Sequence, residues 1–172
     1  MKRVAIYAKK NHPLASIFAA EVMNWLHQHG LEVLLEEDLA ASLRIARDYI
    51  DADIPERSDL VIILGGDGTL ISVARHLGDR EKPILAVNLG SLGFLTEITK
   101  DETFTTLERV LSGDFELSRR MKLDCVVLRA GVQVAHYSVL NDVVINRGRW
   151  RESSIWRQRS TVIISPPSRR TG

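Results

Sequence analysis

A chain of 172 residues, 45% hydrophobic and 26% charged with a net charge of +1, is long enough to bury a core and has the composition of an ordinary folded domain. Its single cysteine, Cys125, excludes an internal disulfide framework and favours a reducing compartment. No apolar run approaches the length of a membrane span, and the apolar stretch after residues 1–3 is too short for a secretion signal, so we expect a cytoplasmic protein without membrane contact.

The first hundred residues alternate between short apolar runs and helical patterns. Apolar residues recur at helical spacing over residues 14–29, which Gly30 ends, and again over residues 70–77. Strands that alternate with helices imply right-handed crossovers and a parallel sheet, which binds ligands beyond the carboxyl ends of its strands. The apolar runs that are typical of buried strands occupy residues 4–8, 31–35, 60–64 and 83–87.

Three glycines that bracket one aspartate follow the third apolar run, in the sequence Gly65-Gly66-Asp67-Gly68-Thr69. Glycines let a ligand approach the backbone closely, and the helix start that comes next favours a phosphate. An aspartate is unsuited to contact a phosphate directly, so we predict that Asp67 holds Mg²⁺ or accepts a hydrogen bond or proton from a hydroxyl that is being phosphorylated. The segment has neither the Gly-Lys-Ser/Thr of a P-loop nor the glycine spacing of the dinucleotide fingerprint.

A second glycine-rich loop, NLGSLGFLT at residues 88–96, follows the next strand. Gly90 and Gly93 lie among apolar residues, which implies a loop whose backbone approaches something closely. Phe94 and Leu95 offer an apolar surface that suits an adenine ring. A glycine-rich turn over the core is the alternative explanation.

Beyond residue 100 the pattern changes from helix to antiparallel strand. Asp101 is predicted to cap a helix over residues 104–111, and Gly113 to end it. Apolar residues then alternate from 115 to 127, and a turn leads into a return strand that runs to residue 145. A β-rich region is therefore predicted to follow the parallel sheet.

Two polar residues, Asn141 and Asp142, interrupt the apolar run of that return strand. Buried polar side chains need hydrogen-bond partners, so two adjacent ones require a reason. A bulge or strand end is one explanation, and contact with a bound ligand is the other.

Three segments of the chain resemble one family. Residues 65–69 resemble the GGDGT motif of NAD kinases, diacylglycerol-type lipid kinases and, with small changes, phosphofructokinases. Residues 88–95 resemble the NLGxLGFL signature of NAD kinases, which the lipid kinases lack, and residues 141–142 resemble the Asn-Glu/Asp motif with which NAD kinases hold the dinucleotide. From residue 1 to about 148 the chain is therefore identified as a member of the bacterial NAD kinase family, with a lipid or sugar kinase of the same superfamily as the alternative.

The resemblance implies transfer of the terminal phosphoryl group of ATP, or of polyphosphate, to the adenosine 2′-hydroxyl of NAD, which yields NADP. Asp67 would orient that hydroxyl and take its proton. Mg²⁺ is expected because the glycine loop contains no lysine to neutralise the phosphates, and no protein ligand for a metal is assigned. The other residues that the family motifs imply as contacts to phosphate or dinucleotide are Gly65, Gly66, Gly68, Thr69, Asn88, Gly90, Gly93, Phe94, Asn141 and Asp142.

The resemblance also implies a fold, a Rossmann-like α/β domain followed by the start of a β-rich, β-sandwich-like domain. We expect an α/β kinase domain over residues 1–113, a partial dinucleotide-binding domain over 114–148 and an atypical basic tail over 149–172. The implied partners are NAD and ATP or polyphosphate, not nucleic acid. A complete C-terminal domain would imply a homo-oligomer.

The charge of the chain is distributed unevenly. Residues 147–172 carry +6 and the remainder carries −5. A basic end is compatible with a nucleic-acid or membrane contact. Residues 149–159 show neither the helical nor the strand period, and the Thr-Gly-Ser-Thr-Ala-Tyr motif of the family does not follow, so a truncated or frame-altered C-terminus is the favoured hypothesis. A further alternative is then a catalytically incomplete fragment that acts as a nucleotide-binding or interaction module.

Overall fold

The structure is a computed structural model that describes residues 1–78, 80–91, 93–140 and 143, together with the backbone of residues 153–165. The predicted site residues Asn141 and Asp142 lie outside the described residues.

The N-terminal part of the chain forms a parallel sheet, as predicted. Its strands are β1 (Arg3–Ala8), β2 (Glu32–Leu35), β3 (Leu60–Gly65), β4 (Pro83–Asn88) and the short β5 (Ile98–Thr99). The first four lie side by side in the order β2-β1-β3-β4, and β5 pairs with β4. β2 and β3 flank β1 on opposite sides, so the strand order reverses at the carboxyl ends of β1 and β3, where open α/β sheets bind their ligands.

Helices cover both faces of this sheet. They are α1 (Pro13–Gln28), α2 (Glu37–Leu43), α3 (Ile54–Arg57), α4 (Asp67–His76) and α5 (Thr103–Ser112). Alternate strand residues enter two cores: Ile6 packs with Phe18 of α1 and Leu107 of α5 on one face, and Ala5 packs with Leu70 of α4 on the other. A strand that is buried on both faces needs a continuous apolar run, which is why these runs predicted the sheet.

The start of α5 differs from the prediction. The helix begins at Thr103 with Glu102 in the N-cap position, so the predicted cap by Asp101 is wrong. The Glu102 carboxylate accepts hydrogen bonds from the backbone N–H (3.0 Å) and the Oγ1 (2.7 Å) of Thr99. The longer glutamate side chain thus reaches back and fixes the turn that leads into the helix.

An antiparallel hairpin follows α5, as the alternating pattern predicts. Its strands are β6 (Glu116–Arg129) and β7 (Val132–Leu140), and the turn between them has positive φ angles of 49° at Ala130 and 80° at Gly131. The predicted combination of a Rossmann-like parallel sheet with a β-rich continuation is therefore confirmed.

A further strand, β8 (Ser153–Ser165), lies where the sequence showed neither a helical nor a strand period. It runs parallel to β4 and antiparallel to β6, so one sheet of eight strands has the order β2-β1-β3-β4-β8-β6-β7 with β5 beside β4. Its place in the sheet depends on pairing with β4 and β6, which are distant parts of the chain, and a local sequence period does not record such pairing.

Lys122 connects the hairpin to the helix that follows the first glycine loop. Its side chain is 2% exposed, and its Nζ donates hydrogen bonds to the carbonyl oxygens of Ala74 (3.2 Å) and Gly78. These carbonyls lie at the C-terminal end of α4, where a positive charge is favourable. β6 therefore holds the far end of the helix that begins with Asp67.

Candidate functional site

Backbone hydrogen bonds fix the carboxyl ends of β1, β3 and β4 to one another. The N–H of Lys9 donates to the carbonyl oxygen of Leu64 at 2.8 Å, and the N–H of Leu89 donates to that of Gly65 at 3.1 Å. The two glycine-rich loops, at residues 65–69 and 88–96, therefore begin side by side at one edge of the sheet.

Asp67, the first residue of α4, joins the first glycine loop to the second. Its Oδ1 accepts hydrogen bonds from the backbone N–H groups of Leu95 (3.2 Å) and Thr96 (3.1 Å) and from the Thr96 Oγ1 (3.0 Å). Among the described residues, its Oδ2 accepts one hydrogen bond, from the N–H of Phe94 at 2.9 Å. A carboxylate has about four acceptor positions, so Oδ2 retains the capacity to accept a hydrogen bond from a ligand.

These contacts shift the ionisation of Asp67. Burial by itself raises the pKa of the carboxyl, but the hydrogen bonds from Thr96, Leu95 and Phe94 outweigh it and lower the pKa below its ordinary value. Asp67 is thus held as a carboxylate that can accept hydrogen bonds at neutral pH.

Two of the glycines are required by the packing of these loops. A Cβ at Gly93 would lie 2.7 Å from both the Asp67 Cγ and the Thr96 Oγ1, and a Cβ at Gly65 would lie 2.8 Å from the Thr69 Cβ. Real Cβ atoms essentially never approach so closely. Gly93 therefore makes room for the Asp67 carboxylate, and Gly65 makes room for Thr69 at the start of α4.

The packing of the loops does not require glycine at the other two positions of the first loop, Gly66 and Gly68. In the part of the chain that the structure describes, a Cβ at Gly66 or Gly68 would meet no atom within 4 Å, and neither residue is among those with positive φ. The space beside both residues is open, as the predicted close approach of a ligand requires.

Asn88 orders the second glycine loop from within. Its Nδ2 donates to the carbonyl oxygen of Ser91 and to the Oγ1 of Thr96, both at 2.8 Å, and its Oδ1 accepts from the N–H of Gly90 at 2.8 Å. Asn88 is 5% exposed. Its amide thus sets the shape of the loop that donates hydrogen bonds to Asp67.

Phe94, which was predicted to line an adenine pocket, projects into solvent. Its side chain is 96% exposed, although its backbone N–H is bound to Asp67. An aromatic ring in this position is available to stack on a planar ligand beside the loop.

Two cavities flank the first glycine loop. One, of about 420 Å³, lies between the ends of β1 and β3 and is lined by Lys9, Gly66, Gly68 and Thr69 among others. The other, of about 180 Å³, lies on the side of the second loop, and Lys9 and Gly66 line it as well.

The sequence pattern did not single out Lys9 or Thr96. Lys9 immediately follows a buried strand, and a basic residue at that position in a parallel sheet faces the ligand-binding edge, which is the signal that would have found it. Thr96 carries no such signal because its partner Asp67 is 29 residues away.

The described residues contain no group of three or more His, Cys, Asp or Glu side chains that could hold a metal ion. In that same part of the chain, no helix has the length and apolar character needed to cross a membrane.

This geometry agrees with a comparison of the sequence with known families. Residues 4–115 match the family described as the ATP-NAD kinase N-terminal domain. The chain belongs to this family. Among curated relatives, NAD kinase of Syntrophotalea carbinolica is 57% identical over 149 residues, which are 86% of this chain and 52% of the relative. NAD kinase of Geotalea daltonii is 53% identical over 148 residues, with the same two coverages.

A solved structure shares the fold. The crystal structure of yeast NADH kinase complexed with NADH superposes with a TM-score of 0.69 at 23% identity, over 81% of this chain and 46% of that one. The chain spans about half the length of the curated relatives it matches, 52% of each.

Proposed function

We propose that this chain carries NAD kinase activity, the transfer of the terminal phosphoryl group of ATP or polyphosphate to the adenosine 2′-hydroxyl of NAD. A bond forms between the 2′-oxygen and the terminal phosphorus, the bond to the bridging oxygen breaks, and the hydroxyl proton is released. The observation that carries the proposal is Asp67, a carboxylate with a free acceptor position between two unobstructed glycines, at the edge where this type of sheet binds ligands. The NAD kinase relatives support this over the lipid- or sugar-kinase alternative.

In this proposal Asp67 acts through Oδ2. That oxygen accepts the hydrogen bond of the 2′-hydroxyl and then its proton, while Oδ1 remains bound to the second loop. The lowered pKa of Asp67 makes it a weak base, which is sufficient because phosphoryl transfer depends mainly on positioning and charge stabilisation.

The open backbone at Gly66 and Gly68 would accept the phosphates. Mg²⁺ enters as part of the MgATP substrate, because this ion is usually held by substrate phosphates and one or two carboxylates rather than by a protein cage. Phe94 would stack on the adenine ring of the dinucleotide, and Asn141 with Asp142 would hold its polar groups. A cytoplasmic location remains a prediction from the composition of the sequence, and a homo-oligomer for a chain with a complete C-terminal domain remains a prediction from the resemblance.

The test is a coupled assay of NADP formation from NAD, ATP and Mg²⁺, run beside Asp67→Asn. Loss of the catalytic acceptor is expected to lower the rate by about 10²- to 10⁴-fold. Two variants serve as controls. Thr96→Val removes a loop contact but keeps the carboxylate, so a much smaller loss is expected, and Asp53→Asn at an exposed acid should be neutral. A rate unchanged in Asp67→Asn would refute the proposal.

The alternative stated from the sequence is a nucleotide-binding module without turnover, which would bind nucleotide but form no NADP. A folded chain that forms no NADP, yet gains about 2.7 kcal/mol of stability at a nucleotide concentration 100 times its Kd, would establish this candidate. Chemical unfolding with and without ATP or NAD measures that gain.

A further inference from the structure

Lys9 occupies an unusual position among the lysines of this chain. Its backbone N–H is bound to the carbonyl oxygen of Leu64 at 2.8 Å, so its Cα is fixed beside the end of β3. Its side chain is exposed, and among the described residues no carboxylate lies within ion-pair distance of its ammonium group. A positive charge is thus presented at the ligand-binding edge without a protein partner.

The adjacent lysine is in a different situation. Lys10 lines the same cavity between the ends of β1 and β3, but its Nζ forms an ion pair with Asp38 Oδ2 at 2.6 Å, which compensates its charge. The two neighbouring lysines therefore provide a natural contrast between an unpaired and a paired ammonium group.

The cavity between the ends of β1 and β3 is lined by Lys9 and also by Gly66 and Gly68. Gly66, Gly68, Thr69 and Ser72 line the same space of about 420 Å³. A ligand that uses all of these needs negative charge for the lysine, acceptor oxygens for the hydroxyls, and a compact shape that can contact backbone. A chain of phosphate groups meets all three requirements.

One acidic residue, Glu36, also lines this cavity. Its side chain is largely buried, its carboxylate accepts a hydrogen bond from the N–H of Ala8 at 3.4 Å, and the charge of Lys10 lies nearby. Burial raises the pKa of the Glu36 carboxyl above its ordinary value, while the hydrogen bond from Ala8 and the charge of Lys10 act in the opposite direction. Beside this acid, Lys9 contributes a positive charge that no carboxylate of the described residues pairs with.

We propose that Lys9 binds the phosphate chain of the phosphoryl donor in the cavity between the ends of β1 and β3. This proposal rests on the proposed function and deepens it, because it places the donor on the β1 side of Gly66. The smaller cavity on the side of the second loop, beside Asn88 and Gly90, is then left for the acceptor. Lys9 lines both cavities and supplies from a neighbouring loop the positive charge that the glycine loop lacks.

The test is a titration of the full chain with inorganic tripolyphosphate, with MgATP and with adenosine, for the unaltered protein, Lys9→Met, Lys9→Arg and Lys10→Met. Loss of a charged contact to phosphate is expected to weaken tripolyphosphate and MgATP binding about tenfold or more in Lys9→Met. Lys9→Arg keeps the charge and should stay within about threefold of the unaltered protein. Lys10→Met should also bind tripolyphosphate and MgATP within about threefold of the unaltered protein. Adenosine binding should not change in any variant.

The outcomes separate this proposal from the proposed function. Where NADP forms, Lys9→Met should raise the KM for ATP by a larger factor than the KM for NAD. Absence of NADP formation would refute the kinase activity, while the tripolyphosphate titration would still decide the role of Lys9. Three results would each overturn the Lys9 site: no tripolyphosphate binding by the unaltered chain, equal binding by Lys9→Met, or an equal loss in Lys10→Met.

Discussion

At the scale of single residues, Gly93 and Asp67 fit together so closely that neither position is independent of the other. The carboxylate occupies the space that a side chain at position 93 would need, and in return it accepts four hydrogen bonds from residues 94–96. Two of the three motifs of the resemblance, at residues 65–69 and 88–95, therefore meet in one contact, which no local sequence pattern contains.

Gly93→Ala is expected to lower the free energy of unfolding by about 1–3 kcal/mol, because the added Cβ must displace the Asp67 carboxylate or the loop. Gly90→Ala is the matched control in the same loop. A Cβ at position 90 would meet its nearest atom, the Asn88 Oδ1, at an ordinary 3.9 Å. Denaturant unfolding of both variants measures the difference, and equal stabilities would contradict the close fit at position 93.

At the scale of elements, α4 has a charged side chain at each end, an acid at its N-terminus and a base at its C-terminus. Asp67 lies in its first turn, and Lys122 of β6 donates to carbonyl oxygens at its last turn. An acid at the N-terminus and a base at the C-terminus both complement the helix dipole. The hairpin thereby contributes to the orientation of the helix that carries the proposed catalytic residue.

Lys122→Met keeps most of the apolar stem but removes the ammonium group, so buried carbonyl oxygens lose their donor. A loss of about 1–3 kcal/mol in the free energy of unfolding is expected. Arg119→Met, on the same strand, removes an exposed ion pair with Glu81 and should cost less than about 1 kcal/mol. Thermal or denaturant unfolding compares the two, and a larger loss in Arg119→Met would be inconsistent with the role given to Lys122.

At the scale of the whole molecule, β8 joins the parallel sheet to the antiparallel hairpin. It pairs with β4 on one side and with β6 along thirteen residue pairs on the other. Without it, β6 would present an unpaired edge and β4 would keep only its short pairing with β5 on that side. An unpaired edge is a template for association with other chains.

A chain that ends at residue 152 is therefore expected to unfold at a lower temperature and to associate, whereas a chain that ends at residue 165 keeps β8 and should match the full protein. Thermal unfolding and sedimentation velocity measure both properties. Indistinguishable behaviour of the two shortened chains would show that β8 does not complete the sheet.

The parts of this fold that the sequence predicts are those encoded locally. The apolar runs followed by glycine-containing segments predicted β3, β4 and the two loops beyond them. Burial of a strand and close packing of a loop each restrict the residue types at neighbouring positions, so both leave a local pattern. Three features depend on distant parts of the chain and were missed: the bonds from Asp67 to the second loop, the unpaired charge of Lys9 and the place of β8 in the sheet. The predicted roles of Gly66, Gly68 and Phe94 toward ligands remain predictions.

The contact between Asp67 and the second glycine loop has a consequence for which positions change together among related sequences. A lineage that lost Asp67 would also lose the steric reason for glycine at position 93 and the hydrogen-bond partner of Thr96. We therefore expect positions 67, 93 and 96 to be substituted together in relatives that have lost the proposed catalytic activity. In relatives that keep it, they should be retained as a set, even though 29 residues separate the first from the last.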